Sequence, residues 1–181
     1  MDYRIIKKGS FKVIGKVTKL SAKYGEHHME IAEFWDECNT DRTTEKINAI
    51  DNRQNMLGIC MNYKEQISYM IAIENVNNLR STEFDTRKIP AATWAVFTSV
   101  GPLPNTIIDL WSKIFQEWFQ ATGFEQGNAP MLEVYPPGNT SALDYKCEAW
   151  VPINNMIPVK KPNGVKTWLI NWDIGEGTLP A

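Results

Sequence analysis

Apolar residues along the 181-residue chain follow two different periods, and the same order of periods occurs twice. Phe11, Val13 and Val17 alternate with Lys12 and Lys16 around Gly15, so Arg4 to Thr18 reads as a strand with one wet face. Ile31, Phe34, Trp35 and Cys38 then recur at helical spacing and predict a helix over His28 to Cys38. The polar run Asn39 to Asn55 predicts a loop with room for one short helix. Two strands follow, Met56 to Tyr63 and Ile67 to Val76, around a turn at Lys64 to Gln66. After the link Asn77 to Ser81 the order repeats. A strand over Glu83 to Val100 is interrupted near Pro90 and ends in the breaker run Gly101-Pro102-Leu103-Pro104. A strongly apolar helix over Asn105 to Thr122 closes at Gly123, and the strands Met131 to Tyr135 and Ala142 to Ile153 flank a turn at Pro136 to Asn139.

The register supports duplication. Ile31 and Trp35 match Ile107 and Trp111, and Tyr69 matches Tyr145, all at an offset of 76; Met56-Leu57 matches Met131-Leu132 at 75. The expected fold is therefore α+β: two strand-helix-strand-strand units related by a pseudo-two-fold axis, with antiparallel sheet and two main helices. The domain is expected over residues 1–153, with repeats at about 3–77 and 82–153, and residues 154–181 form an extension. On this symmetry Trp35 and Trp111 face each other across a groove. The offset also sets Ala72 against Glu148, so an acid stands on one side only.

Alternation along the last strand puts Tyr145, Cys147, Ala149 and Val151 on one face and Lys146, Glu148 and Trp150 on the other. The first set reads as core. The second joins a carboxylate to an indole two residues away, which suits either a solvated face or the floor of a pocket for something flat and cationic.

Composition narrows the choice. Seven Trp, seven Phe and six Tyr supply enough rings to line a cavity as well as fill a core, and a net charge of −2 leaves no electrostatic footprint for nucleic acid. No apolar run reaches the length of a membrane span or resembles a signal peptide, so a cytoplasmic protein without membrane contact is expected. Cys38, Cys60 and Cys147 are odd in number and far apart; they read as buried apolar residues. His27 and His28 diverge by about 100° on a helix and converge poorly on one ion. With no G-x-S-x-G, no H-E-x-x-H and no phosphate-binding glycine loop, neither metal nor cofactor is expected.

The runs IPAATWAVFTSVGPLPNTIIDLWSKIFQEWFQATGF, PMLEVYPPG and YKCEAWVPI resemble the GyrI-like small-molecule-binding domain, which also serves as the effector domain of AraC-type and MerR-type multidrug regulators. The resemblance covers about residues 3 to 153. It implies a pseudo-symmetric domain around an aromatic pocket, with a last-strand carboxylate, here Glu148, pairing with cationic ligands. Trp150 follows that acid in the family's E-x-[apolar]-x-P pattern, and Trp94 matches an aromatic of the central strand. Glu133, in P-x-L-E-x-Y, is expected to make a structural hydrogen bond or salt bridge.

The leading expectation is a non-enzymatic receptor for an aromatic or lipophilic cation. Glu148 is the expected counter-ion, and Trp150, Trp94, Trp111, Phe115, Trp35, Met70 and Tyr145 are the candidate walls. Met70 enters because Ser68, Met70, Ala72 and Glu74 share the face related to Glu148. Two alternatives stand beside it: a hydrolase with Glu148 as general base, and a gyrase-inhibitor-type module that binds a protein partner. No helix-turn-helix precedes Met1, so direct DNA binding is not expected. Trp168 and Trp172 make Val165 to Trp172 a candidate added strand or flap.

Overall fold

The computed structural model describes residues 1–21, 27–63 and 66–154. The strands are β1 (Arg4–Lys8), β2 (Phe11–Lys19), β3 (Met56–Tyr63), β4 (Gln66–Glu74), β5 (Asp85–Ile89), β6 (Ala92–Val100), β7 (Glu125–Gln126), β8 (Met131–Tyr135) and β9 (Lys146–Asn154). Every pairing is antiparallel, in the order β1-β6-β9-β8-β3-β4-β2-β5, with the short β7 against the end of β9. The helices are α1 (His27–Thr40), α2 (Thr43–Ile50) and α3 (Asn105–Lys113); a π-helical turn, Ile114–Trp118, carries the last of these on into α4 (Phe119–Thr122).

The sheet order displays the duplication. β3-β4-β2 on one side mirrors β8-β9-β6 on the other, and the halves meet where Leu57 pairs with Val134 and Gly58 with Glu133. Each half also lends its first strand to its neighbour. Phe11 of β2 pairs with Ile89 of β5, and reciprocally Lys8 of β1 pairs with Ala92 of β6. The stretch expected as one strand over Arg4 to Thr18 is thus broken at Gly9-Ser10, and the interruption expected near Pro90 falls at Pro90-Ala91. This exchange stitches the halves together, since separating them would strip backbone hydrogen bonds from both sheet ends.

Both faces of the sheet are buried. Tyr69, Ile71 and Ile73 of β4 pack with Ile14, Phe34, Cys38 and Ile47 beneath α1 and α2. Cys147, Ala149 and Val151 of β9 pack with Ile107, Trp111, Ile114 and Trp118 beneath α3 and its continuation. On the opposite face Val13, Ile59, Met70, Ala72, Trp94, Val96 and Leu132 form a third cluster, with Trp150 packed against it. The long helix ends as expected, with Gly123 in the left-handed region at φ 74° and its N–H bonded to Phe119 O. The π turn was not visible in the periodicity. It turns Ile114 and Trp118 both inward, and Trp118 stacks on Phe124 at 5.3 Å between centroids and meets Phe97 edge-on at 5.1 Å.

The last strand is shorter than the expected Ala142 to Ile153. Asn139 accepts the Ser141 N–H on its side chain, and turn hydrogen bonds run from Ala142 N to Asn139 O and from Tyr145 N to Ala142 O, so pairing starts at Lys146. The expected flap at Val165 to Trp172 lies outside the described residues.

Gly15 is enforced by close backbone approach: a Cβ there would stand 1.9 Å from Ile71 O and 2.6 Å from Ala72 Cα. Neither is the end of a flexible side chain. Gly15→Ala is expected to lower unfolding stability by roughly 2–4 kcal/mol, read as a drop in the urea midpoint. Gly9→Ala, where nothing lies within 4 Å of the added carbon, should change it by less than about 0.5 kcal/mol.

Candidate functional site

Glu133 sits at the centre of the sheet, directly across from Gly58, and alternation turns both toward the helices. The carboxylate fits because Gly58 has no side chain. A Cβ there would lie 2.0 Å from Tyr69 Oη and 2.5 Å from Glu133 Oε2. Tyr69, 2% exposed, donates its hydroxyl to Oε2 at 2.5 Å, while the Trp111 indole N–H donates to Oε1 at 2.8 Å. The Trp35 indole N–H donates in turn to Tyr69 Oη at 2.9 Å. One acid is therefore held by groups from β4 and α3, with α1 joined through Tyr69.

All these donors are neutral. None of the ion pairs among the described residues includes Glu133. Its charge is felt by its neighbours. Burial pushes the Tyr69 and Tyr135 phenols well above their ordinary value of 10, and Glu133 pushes them further. Burial, with Glu133 as a second cause, raises the Cys60 thiol to about 12 and the Cys147 thiol to about 11. Both sulfurs are thus neutral thiols of the core.

Above Glu133 the two helices leave a cavity of about 320 Å³. Ile31, Trp35 and Asp36 of α1 line one side, Leu103, Ile107 and Trp111 the other, and Glu133 and Tyr135 the floor. Trp35 meets the Tyr135 ring edge-on at 5.4 Å. Two indoles from α1 and α3 beside a carboxylate that has no cationic partner among the described residues make a site that attracts positive charge and apolar surface together.

The model of the Cass2 family, integron-associated effector-binding proteins, matches residues 4–153. The chain belongs to this family. No curated protein is significantly similar in sequence. Among solved structures the Cass2-family fold is shared with SAV2435 bound to tetraphenylphosphonium, at 22% identity and TM-score 0.75, covering 86% of this chain and 95% of that one. A Staphylococcus aureus MU50 protein assigned to bacterial transcription regulation is 22% identical with TM-score 0.73, over 84% of this chain and 98% of that chain. The Vibrio cholerae integron cassette protein Cass2 is 16% identical with TM-score 0.60, over 84% and 95%. The expected resemblance to GyrI-like effector-binding domains is thereby established for the fold.

Within this Cass2-type domain the residues expected to form one pocket divide between the two faces of the sheet. Trp35 and Trp111 line the cavity, as their symmetric spacing implied. Phe115 stacks on Trp111 at 5.9 Å but does not line it. Tyr145 is core, its hydroxyl donating to Pro136 O at 2.8 Å. Glu148, Trp150, Trp94 and Met70 face the other way. Glu148 pairs with Arg4 at 2.6 Å and accepts the Trp150 indole N–H at 2.9 Å; Trp94, fully buried, donates to Pro130 O, and Met70 is fully buried. The physical reason is strand alternation: Cys147 and Ala149 point to the helices, so Glu148 between them cannot. The acid that does is Glu133, whose signal was a lone carboxylate between Met131 and Tyr135 on an otherwise apolar strand. Its expected structural hydrogen bonds are present, and they aim it into the cavity.

The raised phenols carry a pH dependence. Tyrosines that ionise near 10 when unfolded keep their protons to higher pH when folded, so their contribution is complete below about pH 10 and lost as pH rises beyond it. Melting temperatures should fall as pH rises above about 10, and Tyr69→Phe should flatten part of that fall. An unchanged slope in the variant would count against a shielded Tyr69.

Proposed function

We propose that this effector-binding domain is a receptor for lipophilic aromatic cations, held between Trp35 and Trp111 with their charge against Glu133. The observation that carries this reading is the central carboxylate, bonded among the described residues to neutral donors, at the base of an aromatic cavity. A half-buried carboxylate gains from a cation that brings its own apolar surface, because such an ion loses less hydration than a compact ammonium. Each indole face adds roughly 0.5–2 kcal/mol, and apolar burial about 25 cal/mol per Å². A cavity of about 320 Å³ suits a drug-sized molecule. The tetraphenylphosphonium bound to SAV2435 is a ligand of this chemistry.

A hydrolytic role for Glu148 gains no support from this geometry, since that carboxylate is paired with Arg4 and stands on the face away from the cavity. The effector-binding role accounts for the helix-facing site without a reaction step.

Glu133→Gln should weaken tetraphenylphosphonium binding by about ten- to hundred-fold, or roughly 1.4–2.7 kcal/mol, and leave neutral aromatics of similar size within about two-fold. Glu148→Gln should leave both unchanged. Isothermal titration of the three proteins decides: equal loss for cation and neutral ligand in Glu133→Gln, or a selective loss in Glu148→Gln, overturns the assignment.

A further inference from the structure

The cavity contains a second acid. Asp36 follows Trp35 on α1 and lines the same space from an exposed position, while Glu133 lines it from the sheet. Among the described residues Asp36 takes part in no ion pair, unlike its neighbours Glu37 and Asp41, which both engage Lys16. Among the described residues no lysine or arginine lines the cavity, and its other ionisable side chains are His28 on α1 and Tyr135 on β8. Beside the two carboxylates the lining is mostly apolar, with Ile31 and Trp35 from α1 and Ile107 and Trp111 from α3. One half-buried carboxylate thus lines the cavity from the sheet and one from the exposed surface of α1, with mostly apolar walls beside them.

Resting on the cation-receptor reading above, we propose that the preferred ligands of this site are elongated dications, with one charged ring system against Glu133 and the second cationic centre at Asp36. The two ends contribute unequally. Glu133 acts in a water-poor site where Coulomb attraction is strong, whereas Asp36 acts at the surface, where solvent and salt weaken it. The inner charge therefore sets whether a ligand binds, and the outer one ranks ligands by length and second charge. The linker must be apolar, since a polar one would lose its hydration against Ile31 and Ile107 without gaining partners. A compact dication with adjacent charges gains nothing, because both cannot reach their carboxylates at once.

The test compares alkane-bridged bis(triphenylphosphonium) ions of graded linker length with the matching alkyltriphenylphosphonium monocations, by titration calorimetry at pH 8 in low salt. At the best linker the dication is expected to bind about three- to five-fold tighter than its monocation, beyond the two-fold that two equivalent ends give statistically. Asp36→Asn should erase that gain and leave the monocation within about two-fold, and added salt should shrink it. Glu133→Gln should weaken mono- and dication alike. A gain that persists in Asp36→Asn, or dications no better than monocations at every length, overturns the dication preference while leaving the receptor reading intact. Absence of binding by monocations as well overturns both. Because Asp36 is exposed, its variant keeps the fold, and monocation affinity reports that directly.

Discussion

A carboxylate placed among aromatic rings without a cation is stable only if neutral donors surround it, and everything around Glu133 follows from that need. Tyr69 and Trp111 supply the donors, and Trp35 completes the set by donating to Tyr69. Because these groups come from both halves of the duplicated chain, the hydrogen bonds that satisfy the acid also fix α1 and α3 over the sheet. The space they need exists only because residue 58 is glycine. Site and scaffold thus rest on the same few contacts at the pseudo-symmetry axis.

Symmetry and asymmetry divide the work. Duplication yields two helices over one continuous sheet, and the reciprocal exchange of β1 and β5 keeps the halves at a fixed spacing. A cavity at the junction of two equivalent units is large and lined alike on both sides, here by Trp35 and Trp111. The charges that line the cavity stand where the copies differ: Glu133 opposes Gly58, and Asp36 has its match in Ser112 at the same offset. Charge enters the site on the sheet from one half and on the helix from the other.

The opposite face of the sheet explains a network that resembles a binding site without being placed at the cavity. Glu148 is joined to Arg4 and Trp150, and Lys8 to Glu74 at 3.1 Å. Arg4 and Lys8 lie on β1, the strand lent to β6; the Arg4 pair ties it to β9 of the host half, and the Lys8 pair ties it to β4 of its own. Being a quarter to a half exposed, they are individually weak; their arrangement follows the exchange.

Much of this architecture was written in the chain. Hydrophobic periods identified both long helices, the break at Pro90 and the stop at Gly123, because amphipathic spacing and a left-handed cap are local properties. The matching positions of Trp35 and Trp111 foretold that both would stand at one cavity, since duplication transfers geometry from one half to the other. Alternation separated Glu148 from Cys147 and Ala149, yet it could not say which face the helices cover. Both faces carry apolar residues and both are buried, so polarity alone gave no direction. Strand exchange was likewise invisible, because two strands separated by a two-residue break read the same whether they pair with each other or with another half. Only the assembled sheet decided that Glu133 is the acid in the cavity, for its meaning depends on Gly58, Tyr69 and Trp35, which lie far away in sequence and meet it through pairing across the axis.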